Sequence, residues 1–220
     1  MRDRNAAYLL FLLIVACNTS AQWIAVRDDA VTPAKIAAYP KSAGMYALSN
    51  LHYLTLVNVK TIEEVGASQW PDALESRKVA IWRLREDLSY EPAQPRITRD
   101  EERFAHFDVY GYVAGRNRDV EALTREYVAA DREAGVKHRW AVYEVIAGDD
   151  LPAYVVVTYG RSRRDFEEEK VAADALRAGR DIPLHVRNTP LLRRIDSFEG
   201  TLVTAAKSSA ASPRTDSKRE

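Results

Sequence analysis

The sequence predicts an α+β chain. Two copies of a β-α-β-β-α unit pack sheet to sheet, and the first copy is degenerate. Three observations carry this. Residues 104–179 switch hydrophobic period in the order strand, helix, strand, strand, helix. An Ala-Gly pair, a hairpin and a helix-capping pair recur in the same order in both halves. The 220 residues are 46% apolar and 29% charged, which is ordinary globular composition for one domain or two small fused ones.

The N-terminus reads as a leader. "MRDRN" carries two arginines, and the apolar run Ala6–Ala16 that follows is eleven residues long. That falls short of the ~20 residues that cross a bilayer as a helix. A basic start and a short apolar segment form the pattern of a secretory signal. "IVAC", Ile14 to Cys17, is similar to the lipobox of bacterial lipoproteins, whose cysteine becomes the lipid-modified N-terminus. Asn18, not aspartate, follows it, so the sorting pattern points to the outer membrane. The expectation is that residues 1–16 are removed and Cys17 is lipidated. The protein then sits on the periplasmic face of the outer membrane and touches lipid only through this anchor. The alternative is cleavage after Ala21 and soluble periplasmic export. A single cysteine allows no internal disulfide, and an acylated one leaves no thiol for Cys–His chemistry.

Residues 17–88 form the degenerate half. "KSAGMYALSNLHYLTLVNVKTIEEV" holds Ala43-Gly44, a strand pair ending at Val57–Val59, and Thr61 with Glu64 as a capping box. The helix before Gly44 is stunted to "TPAKIAAYPKS", bracketed by Pro33 and Pro40. Proline fits only a helix's first turn. "SRKVAIWRLR" reads as the solvated face of a helix. "SYEPAQPRITRDEER", Ser89 to Arg103, has two prolines and mixed charge and links the halves.

Residues 104–203 form the clearer half. "RFAHFDVYGYVAG" alternates with period two, as a strand does. Val120, Leu123, Tyr127, Ala130 and Ala134 then make one helical stripe. Asn117 is placed to cap that helix and Gly135 to end it. "HRWAVYEVIAGDDLPAYVVVTYG" is a hairpin turning at "AGDDLP". Ser162 with Asp165 opens a second helix that runs to Gly179, and "RSRRDFEEEK" within it is a solvated charged face. This is most of a ferredoxin-like unit. His185 in "IPLHVRN" falls in a surface loop. The tail from Thr204 has no periodicity and reads as disordered.

"LSYEP", "FDVYGYVAG" leading into a helix, and "HRWAVYEVIAGDD" before "AYVVVTYGRS" make Phe104–Glu169 resemble the second half of the two-repeat dimeric α+β-barrel proteins, including the NIPSNAP-like group. The resemblance implies two sheets enclosing a cavity with their helices outside. Members range from cofactor-free oxygenases and isomerases to haem-handling enzymes and proteins of no known activity, so this fold does not choose a function. The shortened first helix, and "AGRN" where Pro-Gly is usual after the first strand, weaken the transfer of an enzymatic role.

Candidate site residues follow from strand parity. If Phe107, Val109 and Val113 face the helices, then His106, Asp108, Tyr110 and Tyr112 face the enclosed side. Trp140 and Glu144 join them if Ala141, Tyr143 and Val145 face the helices. Tyr110, Tyr112, Trp140 and Glu144 would then line a ligand pocket, or fill an inter-sheet interface. The cover for that face is the first half or a second copy of the chain in a homodimer. His106 with Asp108 is the best acid/base pair, because i and i+2 share a strand face. Tyr110 completes the catalytic candidates.

The motifs of other chemistries are missing. No H-E-x-x-H, Cys–His cluster or i, i+4 histidine pair occurs, so no metal is expected. No G-x-S-x-G, G-x-G-x-x-G or Walker loop occurs, and no cofactor is expected. With 32 basic against 32 acidic residues, nothing drives nucleic-acid binding. Two functions stay open. One is an exported, lipid-anchored barrel that binds a small molecule or a protein. The other is a cofactor-independent, oxygenase- or isomerase-like enzyme using the inter-sheet cavity.

Overall fold

The computed structural model describes residues 23–32, 44–48, 51–59, 64, 74–149, 151–178 and 181–203. The leader with Cys17, the stunted helix at 33–43, the Thr61 cap and the tail from Thr204 lie outside them.

Eight strands appear: β1 (Trp23–Val31), β2 (Met45–Leu48), β3 (His52–Val59), β4 (Leu74–Leu84), β5 (Phe104–Tyr112), β6 (Trp140–Ala147), β7 (Ala153–Gly160) and β8 (Leu192–Leu202). Among the described residues three helices accompany the second four: α1 (Asn117–Ala134), α2 (Arg163–Arg177) and α3 (Asp181–Asn188). The strands close into one antiparallel barrel in the order β1-β3-β2-β8-β5-β7-β6-β4. Cut at β2/β8 and β6/β4, that ring gives two sheets, β4-β1-β3-β2 and β8-β5-β7-β6. Each has the order fourth-first-third-second, the order of a ferredoxin-like unit. The repeat read from the sequence is therefore a repeat of strand order. The first half closes the barrel, which needs no second copy for it. The seams are short: Tyr46–Leu48 pair with Gly200–Leu202, and Ile81–Leu84 with Tyr143–Ala147.

Local chemistry explains most elements. The stripe Val120, Leu123, Tyr127, Ala130 and Ala134 packs as one side of a core layer. Gly135 ends α1 at φ +70°, the left-handed region open to glycine. Ser162 Oγ accepts the Asp165 N–H at 3.2 Å and caps α2. Asn117 does not cap α1: it is the first helical residue, and Arg116 holds the cap position without a side-chain bond.

Two readings are corrected. "SRKVAIWRLR" lies in β4, not in a helix. Ala80, Trp82 and Leu84 alternate into the barrel interior, and the basic residues between them imitate a helix face. "IPLHVRN" is helical, in α3, where Leu184 is buried. The link from Ser89 is also tied down: Tyr90 bridges to Trp140, and Ile97 enters the barrel core.

Candidate functional site

The barrel wall has two faces, and the apolar one looks inward. Ile24, Val26, Leu54, Trp82, Phe107 and Val157 are among the side chains that meet inside. Val109 packs with them, and Val113 lies beyond β5, 38% exposed. The helix side instead takes Tyr112, Trp140, Val142 and Tyr154. The parity expectation is thus inverted. Phe107 and Val109 face the interior, as do Ala141, Tyr143 and Val145, while His106, Tyr112 and Trp140 face the helices. The reason is physical. The enclosed interior takes Phe107, Val155 and Val157 together with the phenols of Tyr46, Tyr143 and Tyr159, which meet one another there. The helix layer can satisfy a phenol, an indole or an imidazole with its own charged groups.

His106 and Asp108 are brought together as expected, with Nε2 3.1 Å from Asp108 Oδ1. Register sets their second neighbour. Glu199 on β8 lies opposite His106, and Ser197 lies opposite Asp108. Glu199 Oε1 is 3.4 Å from His106 Nδ1, close enough for an ion pair but not aligned as a hydrogen bond. Ser197 Oγ donates to Asp108. The ring stacks on Phe166 of α2, with centroids 4.8 Å apart and planes at 16°. The Asp108 hydrogen bond raises the His106 pKa, against the opposing effect of burial. Burial pushes Asp108 upward, but the hydrogen bonds from His106 and Ser197 leave it below its ordinary value.

This group borders an open cleft of about 470 Å³ where the short β2 ends beside β8. Ala47, Leu48, Phe104 and Phe198 supply apolar walls. His106, Arg163, Ser197, Glu199 and Thr201 supply polar ones. Arg163, at the start of α2, reaches Glu199 at 3.1 Å. The arrangement offers an imidazole, a guanidinium and a hydroxyl around apolar surface. It is not a hydrolytic triad, because Asp108 stands between Ser197 and His106.

The other expected site residues do not converge there. Tyr110 lies on the same strand face and is electrostatically coupled to Asp108 and Tyr127; burial first, then these neighbours, raises its pKa. Tyr112 stacks on Tyr154, centroids 5.1 Å apart. Trp140 Nε1 donates to Asp131. Glu144 binds Arg83 and, at 3.3 Å, Arg85. Trp140 thereby ties β6 to α1, while Glu144 and Tyr112 contact neighbouring strands.

Ser197 and Glu199 carry no signal in the sequence, because β8 lacks a clear alternation and only its register with β5 places them. The sequence also hides a phenol cluster inside the barrel. Tyr143 and Tyr159 are hydrogen-bonded, with Tyr46 beside them. Arg139 lies 4.2 Å over the Tyr159 ring and pairs with Glu102. Burial first, then Glu102 and Tyr143, pushes Tyr46 up to about 12. Among the described residues no three His, Cys, Asp or Glu side chains converge as a metal centre. At His106 both ring nitrogens face carboxylates, Nε2 on Asp108 and Nδ1 beside Glu199, which does not suit an axial haem ligand.

No family profile and no curated protein matches the sequence. Solved structures do match the fold. An anthrone oxidase-like protein aligns with TM-score 0.56 at 10% identity, over 85% of this chain and 93% of its own. Chlorite dismutase from Candidatus Nitrospira defluvii, as an R173A mutant, aligns with TM-score 0.55 at 11% identity, over 84% and 93%. A candidate monooxygenase from Lactobacillus acidophilus NCFM aligns with TM-score 0.54 at 6% identity, over 82% and 93%. At such identities the likeness is one of fold: the chain is a closed α+β barrel of this type.

Proposed function

We propose that the chain is a small-molecule-binding α+β barrel whose site is the cleft beside His106. The observation that carries this is an imidazole set between Asp108 and Glu199 on the wall of an open, partly apolar cleft. Such a site suits a small, largely apolar molecule with one acidic or carbonyl head. A thermal-shift screen of small aromatic acids and ketones tests it, since a ligand of the folded state stabilises by mass action. Thr201→Trp should fill the cleft and abolish the shift without changing the unliganded melting point. Shifts that persist in that variant, or none at all in the wild type, defeat the proposal.

A second reading is catalytic: an oxygenase- or isomerase-like enzyme with His106 as acid, Asp108 as its positioning partner and Tyr110 behind them. The fold likeness to an anthrone oxidase-like protein and a candidate monooxygenase favours it. A ligand with an acidic C–H that exchanges with deuterated water on the wild type, but not on His106→Gln, would separate enzyme from binder.

The same proposal places the protein, lipidated at Cys17, on the periplasmic face of the outer membrane. Its support is "IVAC" behind the eleven-residue apolar run. A fatty-acid probe should label the wild type and not Cys17→Ser. Kinship with the NIPSNAP-like group belongs to this proposal too, resting on "FDVYGYVAG" and "HRWAVYEVIAGDD".

A further inference from the structure

Helix α2 is held in an unusual way. Of its fifteen residues only Phe166 and Ala173 are buried. Val171 and Leu176 are 69% and 52% exposed, so little apolar contact docks it. Polar groups do so instead, with a histidine under each end.

At the first end Phe166 stacks on His106. The groups facing that ring are Asp108 on β5 and Glu199 on β8. Arg163 of α2 binds Glu199, and Lys170 of α2 acts on Asp108. Two carboxylates against one imidazole favour its protonated form. Arg96 of the inter-half link adds a second grip here, binding Asp165 at 2.7 and 2.8 Å and Glu169 at 2.7 Å. The Arg96 hydrogen bond holds Asp165 down at about 2, so this grip survives mild acid.

At the last end Arg177 binds Asp131 of α1 at 2.6 and 2.9 Å. His138, just ahead of β6 and 9% exposed, has Nε2 3.5 Å from the Arg177 guanidinium. Its Nδ1 has no hydrogen-bond partner and stands 3.9 Å from Glu169. Asp131, Arg96 and Asp174 are the other charges acting on it. Here the nearest contact is a cation and the ring is closed off from water, so the neutral form is favoured. Burial and then Arg177 bring this histidine down to about 4.

We propose that α2 is a pH-steered cover on the second sheet: acid frees its Arg177 end while its Phe166 end stays docked. Protonating His138 sets an imidazolium against Arg177 in a dry layer. Swinging the last turns of α2 outward lets both cations reach water. The same protons strengthen the His106 contact, so the helix pivots on its first turn and Arg96. This holds whether or not the cleft takes a ligand.

Hydrogen exchange on the full chain, read as protection factors, tests it. From pH 7 to pH 4.5, protection over residues 170–177 should fall by roughly fiftyfold, from a histidine moving between about 4 and its free value. Residues 163–166 and α1 should keep theirs. NMR titration of the wild-type His138 ring should show it largely neutral across this range and protonating only near 4. His138→Gln, which keeps an acceptor for Arg177 but takes no proton, should abolish the acid effect. Unchanged protection at 170–177, loss shared equally by α1, or an identical acid response in His138→Gln would each overturn the proposal. Should the variant fold poorly, the wild-type titration and exchange still decide, because a ring that protonates at its free value cannot drive the loss of protection.

Discussion

Trp140 Nε1 donates to Asp131 Oδ2 at 2.8 Å, across the layer between β6 and α1. Both residues are buried, and the same carboxylate takes two bonds from Arg177. Trp140→Phe keeps most of the apolar contact and removes one donor. It should cost about 1–3 kcal/mol, the range for losing a hydrogen bond to a buried charge. Asp131→Ala should cost more, about 3–5 kcal/mol, because it strands the Arg177 cation in the layer. Urea unfolding of the two variants checks the order. If Trp140→Phe proves the more harmful, the indole is held by packing and not by this bond.

His106 gives a pH dependence of opposite sense to His138. Its folded pKa lies above the ordinary value because Asp108 binds the charged ring. The stabilisation is fully present below the unfolded value of about 6.5 and is lost as pH rises through the folded value. The wild type should therefore lose stability on the alkaline side of neutrality relative to His106→Gln, whose curve should be flatter there. Melting points of both proteins from pH 6 to 9 check this. Parallel curves would mean that the imidazolium contributes nothing to folding.

The succession β5, α1, β6, β7, α2 was legible because the second half changes period so plainly, whereas the fourth strand of each half, β4 and β8, was not. Val120, Leu123 and Tyr127 announce α1, and Gly135 ends it. The faces were not legible. Parity fixes that His106 and Phe107 point oppositely, but it does not say which direction is the interior of a barrel. A helix stripe needs an apolar partner, and that argument assigned Phe107 to the helices. In the structure the helix layer accepts Tyr154 and Trp140 because Glu121 takes the Tyr154 hydroxyl and Asp131 the Trp140 indole N–H. The pair His106–Asp108 survived the inversion, since a shared strand face does not depend on which face it is. Glu199 and Ser197 could not have been found without the register of β8.

Arg85, at the end of β4, is the hub of another set of contacts. Its Nη1 donates to Glu121 of α1 at 2.8 Å and to Glu144 of β6 at 3.3 Å, and Tyr154 donates to Glu121 at 3.0 Å. The Asp87 hydrogen bond, with Glu121 behind it, raises the guanidinium's pKa. Arg85→Met removes the cation and keeps most of the stem. It should cost about 2–3 kcal/mol, less than a fully buried pair, since Arg83 and Arg125 still reach Glu144 and Glu121. A double-mutant cycle with Glu121→Gln checks it. A coupling near zero would show the two side chains acting independently.

The β2–β8 seam joins the two halves through only three residue pairs, and Gly200 lies in it opposite Leu48. A Cβ at Gly200 would stand 2.8 Å from the Tyr46 Cβ and 2.9 Å from the Leu48 Cδ2. Leu48 borders the open cleft and its Cδ2 can turn away, but the Tyr46 Cβ is fixed to its strand, with the ring buried edge-on against Phe107. Relief must come from spreading the two strands, over a join of only three residue pairs. Gly200→Ala should therefore cost about 1–3 kcal/mol as overpacking. It should also raise hydrogen exchange in β2 before the rest of the sheet. Gly111→Ala is the internal control, because its Cβ would meet nothing nearer than 3.5 Å and its backbone is not left-handed. That change should stay within about 0.5 kcal/mol of the wild type. Equal effects of the two alanines on denaturant midpoint and on β2 exchange would mean that this seam is open in solution and the ring of eight strands is not closed there.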